Sequence, residues 1–164
     1  MDIVELSHMG PPYSDGVYRL LAACDKEFVP PLSNRTTTMQ HGFTDTGDGS
    51  LQNYFDSMAK QAFLVAVDDG EVVSFLSYQP HDDGSCYVTA VCTGHSHRNQ
   101  GIASSLCDYL ENRFRIVTIR TWSTNDAQMS LLSGRGYHIT RVLFDDSGPE
   151  IDTVYLAKNI PVEK

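Results

Sequence analysis

Residues 86–105 read CYVTAVCTGHSHRNQGIASS, and the fold turns on how this stretch divides. Cys86 to Thr93 is rich in Val, Thr and Tyr, the composition of a strand. Further on, Ile102, Leu106, Leu110 and Phe114 recur every four residues, with Ala103 and Cys107 beside them. That spacing predicts a helix with one apolar face. Between strand and helix lies the turn Gly94-His95-Ser96-His97-Arg98-Asn99-Gln100-Gly101. The N-terminus of a helix leaves about four backbone N–H groups without partners. The macrodipole adds roughly half a positive charge at the same place. Gly101 and Ala103 are small enough to let an oxygen-rich group approach the backbone, and Arg98 offers charge-assisted donors. The turn is therefore an anion site suited to a diphosphate. The sequence contains neither G-x-x-x-x-G-K-[ST] nor G-x-G-x-x-G, which argues against a nucleotide kinase or a Rossmann dehydrogenase.

Outward from this stretch, apolar periodicity sets the other elements. Asp2 to Leu6 reads as a first strand. Tyr13, Val17, Leu20, Leu21, Cys24 and Phe28 predict an amphipathic helix, with Ser14 as its N-cap, ending before Pro30-Pro31. The polar stretch Pro30 to Gly49 is a long loop, of a length usual for functional or disordered segments. Leu51, Tyr54, Phe55 and Met58 mark a short helix capped by Ser50. Ala62–Val67 and Glu71–Tyr78 are strands joined by Asp68-Asp69-Gly70, a hairpin signal. Ile116 to Trp122 is a strand, and Asp126 to Ser133 a helix closed by Gly134-Arg135-Gly136. His138–Phe144 and Ile151–Ala157 form a last hairpin across residues 145–148. Hairpins mixed with crossover helices imply an α/β (α+β) domain, a mixed sheet covered by helices.

Bulk properties narrow the function. The chain has 164 residues, the size of one domain spanning 1–164. A formal net charge of -9 argues against nucleic acid as a partner and fits a cationic acceptor better. The apolar run at residues 62–67 is far too short to span a bilayer, so no membrane partner is expected. Without a signal-like leader the expected location is the cytoplasm. Cys24, Cys86, Cys92 and Cys107 show no metal-ligand spacing and read as small buried hydrophobes, so no metal is expected.

The strand Tyr87–Thr93 followed by Arg98-x-x-Gly101-x-Ala103 resembles the acetyl-CoA signature of the GCN5-related N-acetyltransferases (GNAT), written Q/R-x-x-G-x-G/A. Trp122-Ser123-Thr124-Asn125, a short helix and Gly136-Tyr137 resemble a second element of that family. The resemblance spans residues 62–157. It implies the acyl-CoA N-acyltransferase fold, a mostly antiparallel sheet flanked by helices. It also implies acetyl-CoA as co-substrate, with direct transfer of acetyl to the primary amine of a small molecule or peptide in a ternary complex. A homodimer is common in that family. By the same resemblance Val91, Cys92 and Thr93 pair with the pantetheine arm in the manner of an added strand. Such pairing requires the strand to splay from its neighbour after Thr93. Arg98, Asn99, Gln100, Gly101, Ile102, Ala103 and Ser104 would surround the pyrophosphate, and Asn125 would touch the cofactor while also capping its helix.

The catalytic groups are less defined. Many family members carry a Tyr seven residues after the motif Asn as general acid, and here that position is Leu132. Ser130 and Ser133, on the same helix, are the polar alternatives. Strand alternation puts Tyr87 and Thr89 on one face with Val91, as candidates to relay a proton from the amine. His81, Asp82 and Asp83 precede that strand and are further candidates. Tyr54 and Phe55 are candidate walls of the acceptor site. The absence of a strand carboxylate and of the Tyr favours a second reading, a domain that binds acyl-CoA without turnover.

Overall fold

The computed structural model describes residues 1–34 and 50–161. The predicted loop at 30–49 lies mostly outside these residues. The described elements are β1 (Asp2–Leu6), α1 (Ser14–Cys24), α2 (Leu51–Met58), β2 (Ala62–Asp68), β3 (Glu71–Pro80), β4 (Ser85–Thr93), α3 (Ile102–Glu111), β5 (Ile116–Trp122), α4 (Asp126–Gly134), β6 (His138–Gly148) and β7 (Ile151–Asn159). Single 3-10 turns occur at Asp25–Glu27, Leu32–Asn34 and His95–His97.

Most boundaries fall within three residues of the predicted ones, and the larger departures are at α1 and β6. The periodic pattern through Phe28 overruns α1, which closes at Cys24 and tightens into the Asp25–Glu27 turn. Its cap is Tyr13, not Ser14, and no side chain bonds there. The helix is instead entered through a backbone turn in which Tyr13 and Ser14 both donate to the Gly10 carbonyl. Ser50 does cap α2, accepting from the Asn53 N–H. Finally, β6 runs on to Gly148, so the turn of the last hairpin is Pro149-Glu150.

The strands form one sheet in the order β1-β2-β3-β4-β5-β7-β6. Every pairing is antiparallel except β4 with β5, the strands joined through α3. Helices α3 and α4 cover one face, burying Leu106, Leu110 and Leu132 against Leu76, Val88 and Ile119. Helices α1 and α2 cover the other, burying Leu21, Tyr54 and Met58 against Phe63, Phe75 and Ala90.

One irregularity in β4 decides which residues reach which layer. Against β3, Ser77 pairs with Ala90 and Tyr78 with Val88, so Thr89 is an extra residue in β4. Such a bulge bends the strand, and a one-residue slip exchanges its faces. Cys86 and Val88 accordingly pack under α3, whereas Ala90 and Cys92 pack under α1. The expected common face of Tyr87, Thr89 and Val91 therefore does not exist, because Val91 packs on the α3 side with Val88.

Candidate functional site

The bulge is followed by an opening in the sheet. The parallel pairing of β4 with β5 ends at Val88 opposite Ile119. Beyond that point β4 stays with β3 as far as Thr93, and β5 stays with β7 as far as Trp122. The splay expected after Thr93 thus begins five residues earlier, where the bulge bends β4 away. A cleft of about 680 Å3 occupies this region.

The turn before α3 forms one end of the cleft. Gly101 caps α3 at φ +77°, a left-handed conformation that favours glycine, although a Cβ there would meet nothing within 4 Å. Asn99 is left-handed as well, at φ +61°. The helix closes its first bond from Ser105 N–H to the Gly101 carbonyl, at 3.0 Å. The N–H groups of Ile102, Ala103 and Ser104 thus remain for a ligand. Val91, Cys92 and Thr93 line the cleft from β4. Arg98, Asn99, Gly101, Ile102, Ala103 and Ser104 line it from the turn, and Asn125 from the end of β5. Gln100 is the exception among the sequence candidates. It stands outside, donating to the Ser96 carbonyl at 3.3 Å. Orphan N–H groups, a left-handed glycine and a free strand edge on one cleft fit the diphosphate and amide-bearing arm of an acyl-CoA.

Arg98 is held elsewhere than on the turn itself. Its guanidinium makes a two-pronged pair with Glu27, at 2.7 and 2.8 Å, and its Nε donates to the Thr93 carbonyl at 3.1 Å. This pairing holds the Glu27 carboxyl below its ordinary range and pushes Arg98 up. The arginine so ties the end of α1 to the turn. His97 ties the turn to the β2–β3 hairpin through Asp68, at 3.3 Å. Asn125 caps α4, its side-chain oxygen accepting from the Gln128 N–H, and its amide donates to Thr121 at 3.1 Å.

The catalytic candidates separate. Ser130 lines the cleft. Thr89 lines it too, but its hydroxyl is bonded to Gln61 at 2.5 Å and to Ser77 at 2.7 Å. Tyr87 does not line the cleft. Leu132 faces inward and is 1% exposed, so α4 turns that position to the core. The α4 residues Ala127, Gln128, Ser130 and Leu131 line the cleft instead. His81, Asp82 and Asp83 sit at the opposite end of β4, roughly 25 Å of strand from Thr93. There Asp83 accepts from Ser85. Tyr54 is buried in the core and Phe55 stacks edge-on against Tyr18, and neither walls the cleft.

Further lining of the cleft comes from residues that sequence patterns did not flag. Phe28, Val29 and Pro30 approach from the end of α1, and the Phe28 and Trp122 rings lie 5.7 Å apart. Asp146, Ser147 and Thr153 border it from β6 and β7. The dipeptide Gly148-Pro149 was the signal that the hairpin turn lies beyond residues 145–147, which belong to β6. Cys24 and Cys92 also line the cleft, and all four cysteines are buried and free. A hydrogen bond from the Cys92 thiol lowers Cys24 and raises Cys92. Cys24, Glu27 and His95 bring ligand atoms within 4.8 Å of one another. Arg98 occupies that corner, however, on both Glu27 oxygens and 3.7 Å from the Cys24 sulfur.

Comparison with known proteins agrees with this fold. A search of curated proteins by sequence finds no match. Among solved structures, aminoglycoside 6'-acetyltransferase type Ii superposes with a TM-score of 0.73 at 21% identity, covering 100% of both chains. Aminoglycoside 6'-N-acetyltransferase complexed with coenzyme A gives 0.72 at 18% identity, covering 100% of this chain and 99% of that one. Ribosomal-protein-alanine N-acetyltransferase from Brucella melitensis gives 0.68 at 17% identity, with 97% and 99% covered. At these identities the likeness establishes the fold. The model of the acetyltransferase (GNAT) family matches residues 21–137, from within α1 through the α4 turn, and the chain belongs to that family.

Proposed function

We propose that this acetyltransferase moves the acetyl group of acetyl-CoA to a primary amine in one step, with both substrates in the cleft together. The observation that carries this reading is the opening between β4 and β5 after Val88. It joins the anion-binding end of α3 to the Phe28–Trp122 wall in one continuous cavity. The amino end of α3 holds the pyrophosphate through main-chain N–H groups. The free edge of β4 at Val91–Thr93 holds the pantetheine arm and presents N–H groups to the developing oxyanion. Asn125 fixes the end of β5 beside it.

An alkylamine has a pKa near 10 and must lose its proton before it attacks. The departing thiolate, of ordinary pKa about 8.5, leaves without a general acid. The inward-facing Leu132 therefore does not prevent turnover. It also supports the second reading, an acyl-CoA-binding domain without chemistry, because no phenol reaches the cleft from that position.

Free thiol recorded with acetyl-CoA and a panel of polyamines, aminoglycosides, amino acids and peptides separates the two. Thiol release with an acceptor, and intersecting initial-velocity lines, support direct transfer. Tight calorimetric binding of acetyl-CoA with no release across the panel selects the binding domain. Parallel lines would replace the ternary complex with an acyl-enzyme.

A further inference from the structure

The β6–β7 hairpin departs from regular pairing at the rim of the cleft. Leu143 pairs with Thr153, and the next pair is Gly148 with Ile151, so residues 144–147 of β6 oppose Asp152 alone. Two carboxylates staple this loop-out. Asp152 accepts from the Asp145 N–H at 3.0 Å, and Asp145 accepts from the Glu150 N–H at 2.8 Å. Asp145 and Glu150 both take left-handed backbone, at φ +56° and +62°, which costs a residue with a Cβ. The staple brings Asp146 and Ser147 to the cleft.

Behind Asp146 stands a chain of buried hydroxyls. Ser147 and Thr153 are 5% and 3% exposed, and their oxygens are 2.6 Å apart. Thr153 donates to Asp146 Oδ2 at 2.6 Å. That bond orients the carboxylate and leaves Oδ1 for another donor. The described residues lining the cleft include one other carboxylate, Glu27, and both of its oxygens are taken by Arg98.

We propose that Asp146 is the acceptor-binding residue, its free oxygen seating the ammonium of an alkylamine whose carbon skeleton lies against Phe28 and Trp122. This assignment rests on the acetyltransferase reading of the cleft. It selects amines that are cationic in neutral solution over aromatic amines, which are not.

The test is calorimetric titration of butane-1,4-diamine and of aniline into the protein alone and into the protein saturated with coenzyme A. Wild type binds the diamine and prefers it to aniline. Asp146→Asn weakens the diamine by about tenfold or more and erases the preference. Asp146→Glu recovers part of it. Thr153→Val, which removes the orienting hydroxyl, gives a smaller loss. Coenzyme A affinity and the circular dichroism melt stay unchanged in Asp146→Asn. Equal diamine affinity in wild type and Asp146→Asn, or no diamine binding to wild type at millimolar concentration, overturns the assignment. Failure of coenzyme A to bind wild type instead removes the acetyltransferase reading, and the titration on the protein alone still decides the role of Asp146.

Discussion

The two ends of the cleft are built on different principles. The end formed by β4, the turn and α3 is main chain: N–H groups of Ile102–Ser104, a left-handed Gly101 and the open edge beyond Val88. It is encoded in one contiguous stretch. The rest of the lining is side chain: Phe28 after α1, Trp122 at the end of β5, Asp146 on β6 and Thr153 on β7. These residues are spread over more than a hundred positions of the sequence and meet only after folding. A main-chain site asks for small residues at fixed spacing, and a side-chain wall for nothing local. The first end can stay constant while the second is rebuilt residue by residue, which suits a constant donor and a variable acceptor.

The largest effect belongs to the helix between the two ends. Leu132 is 1% exposed among Leu106, Leu110 and Val154. Leu132→Ala should cost about 2–5 kcal/mol of stability in denaturant unfolding. Leu132→Tyr, which installs the phenol common in relatives, should cost roughly 1–3 kcal/mol by overpacking and leave kcat unchanged. A rise in kcat with stability intact would show that α4 turns position 132 to the cleft.

Next is the main-chain end itself. Gly101→Glu combines left-handed strain with an anion beside the pyrophosphate and should weaken acetyl-CoA by about 100-fold or more in calorimetry. Gly101→Ala finds open space and should show the backbone strain alone, roughly 1 kcal/mol in stability. Undiminished affinity in the Glu variant would place the donor somewhere other than this turn.

A smaller effect probes the strut that holds the ends together. The Arg98–Glu27 side chains are 37% and 44% exposed, so water screens the pair and a double-mutant cycle should give about 0.2–1 kcal/mol. Arg98 depresses the Glu27 pKa, so the pair stabilises the fold above the unfolded carboxyl value, about 4.3. That stability disappears as pH falls through the lower folded value. The stability gap between wild type and Glu27→Gln should therefore be present at neutral pH and close in acid. If Arg98 also serves the pyrophosphate, Glu27→Gln tightens acetyl-CoA and Arg98→Gln weakens it. Equal affinities in both variants would make Arg98 a strut only.

What the sequence conveyed follows the same division. The α3 turn, the Asn125 cap and the succession of strands and helices along the chain were legible because each is set by neighbours within a few residues. The bulge at Thr89 was not, since inserting one residue in β4 changes no local pattern yet moves Val91 to the face of Val88. The early opening after Val88 follows from that bulge and was hidden with it. Asp146 was masked by Asp145-Asp146-Ser147-Gly148, which looks like a turn but belongs to β6, looped out of the pairing and stapled by Asp152 and Asp145. Acid-rich turn chemistry and an acid-rich functional bulge share one composition.

Tyr87 offers the finest test, because alternation alone made it a proton relay. It precedes the bulge, stands in register with Gln79 on β3 and Thr118 on β5, and lies within the stretch where β4 and β5 are still paired. A residue there has a neighbouring strand on both sides, whereas the cleft begins only where the pairing with β5 ends. Tyr87→Phe keeps the ring and removes the hydroxyl. It should change kcat/KM for an amine less than about twofold across the pH range, well under the 100-fold or more typical of a lost general base. A large loss with a shifted pH profile would mean that the opening reaches further down β4 than its backbone pairing shows. The boundary between the paired and the open part of the sheet would then lie ahead of Val88.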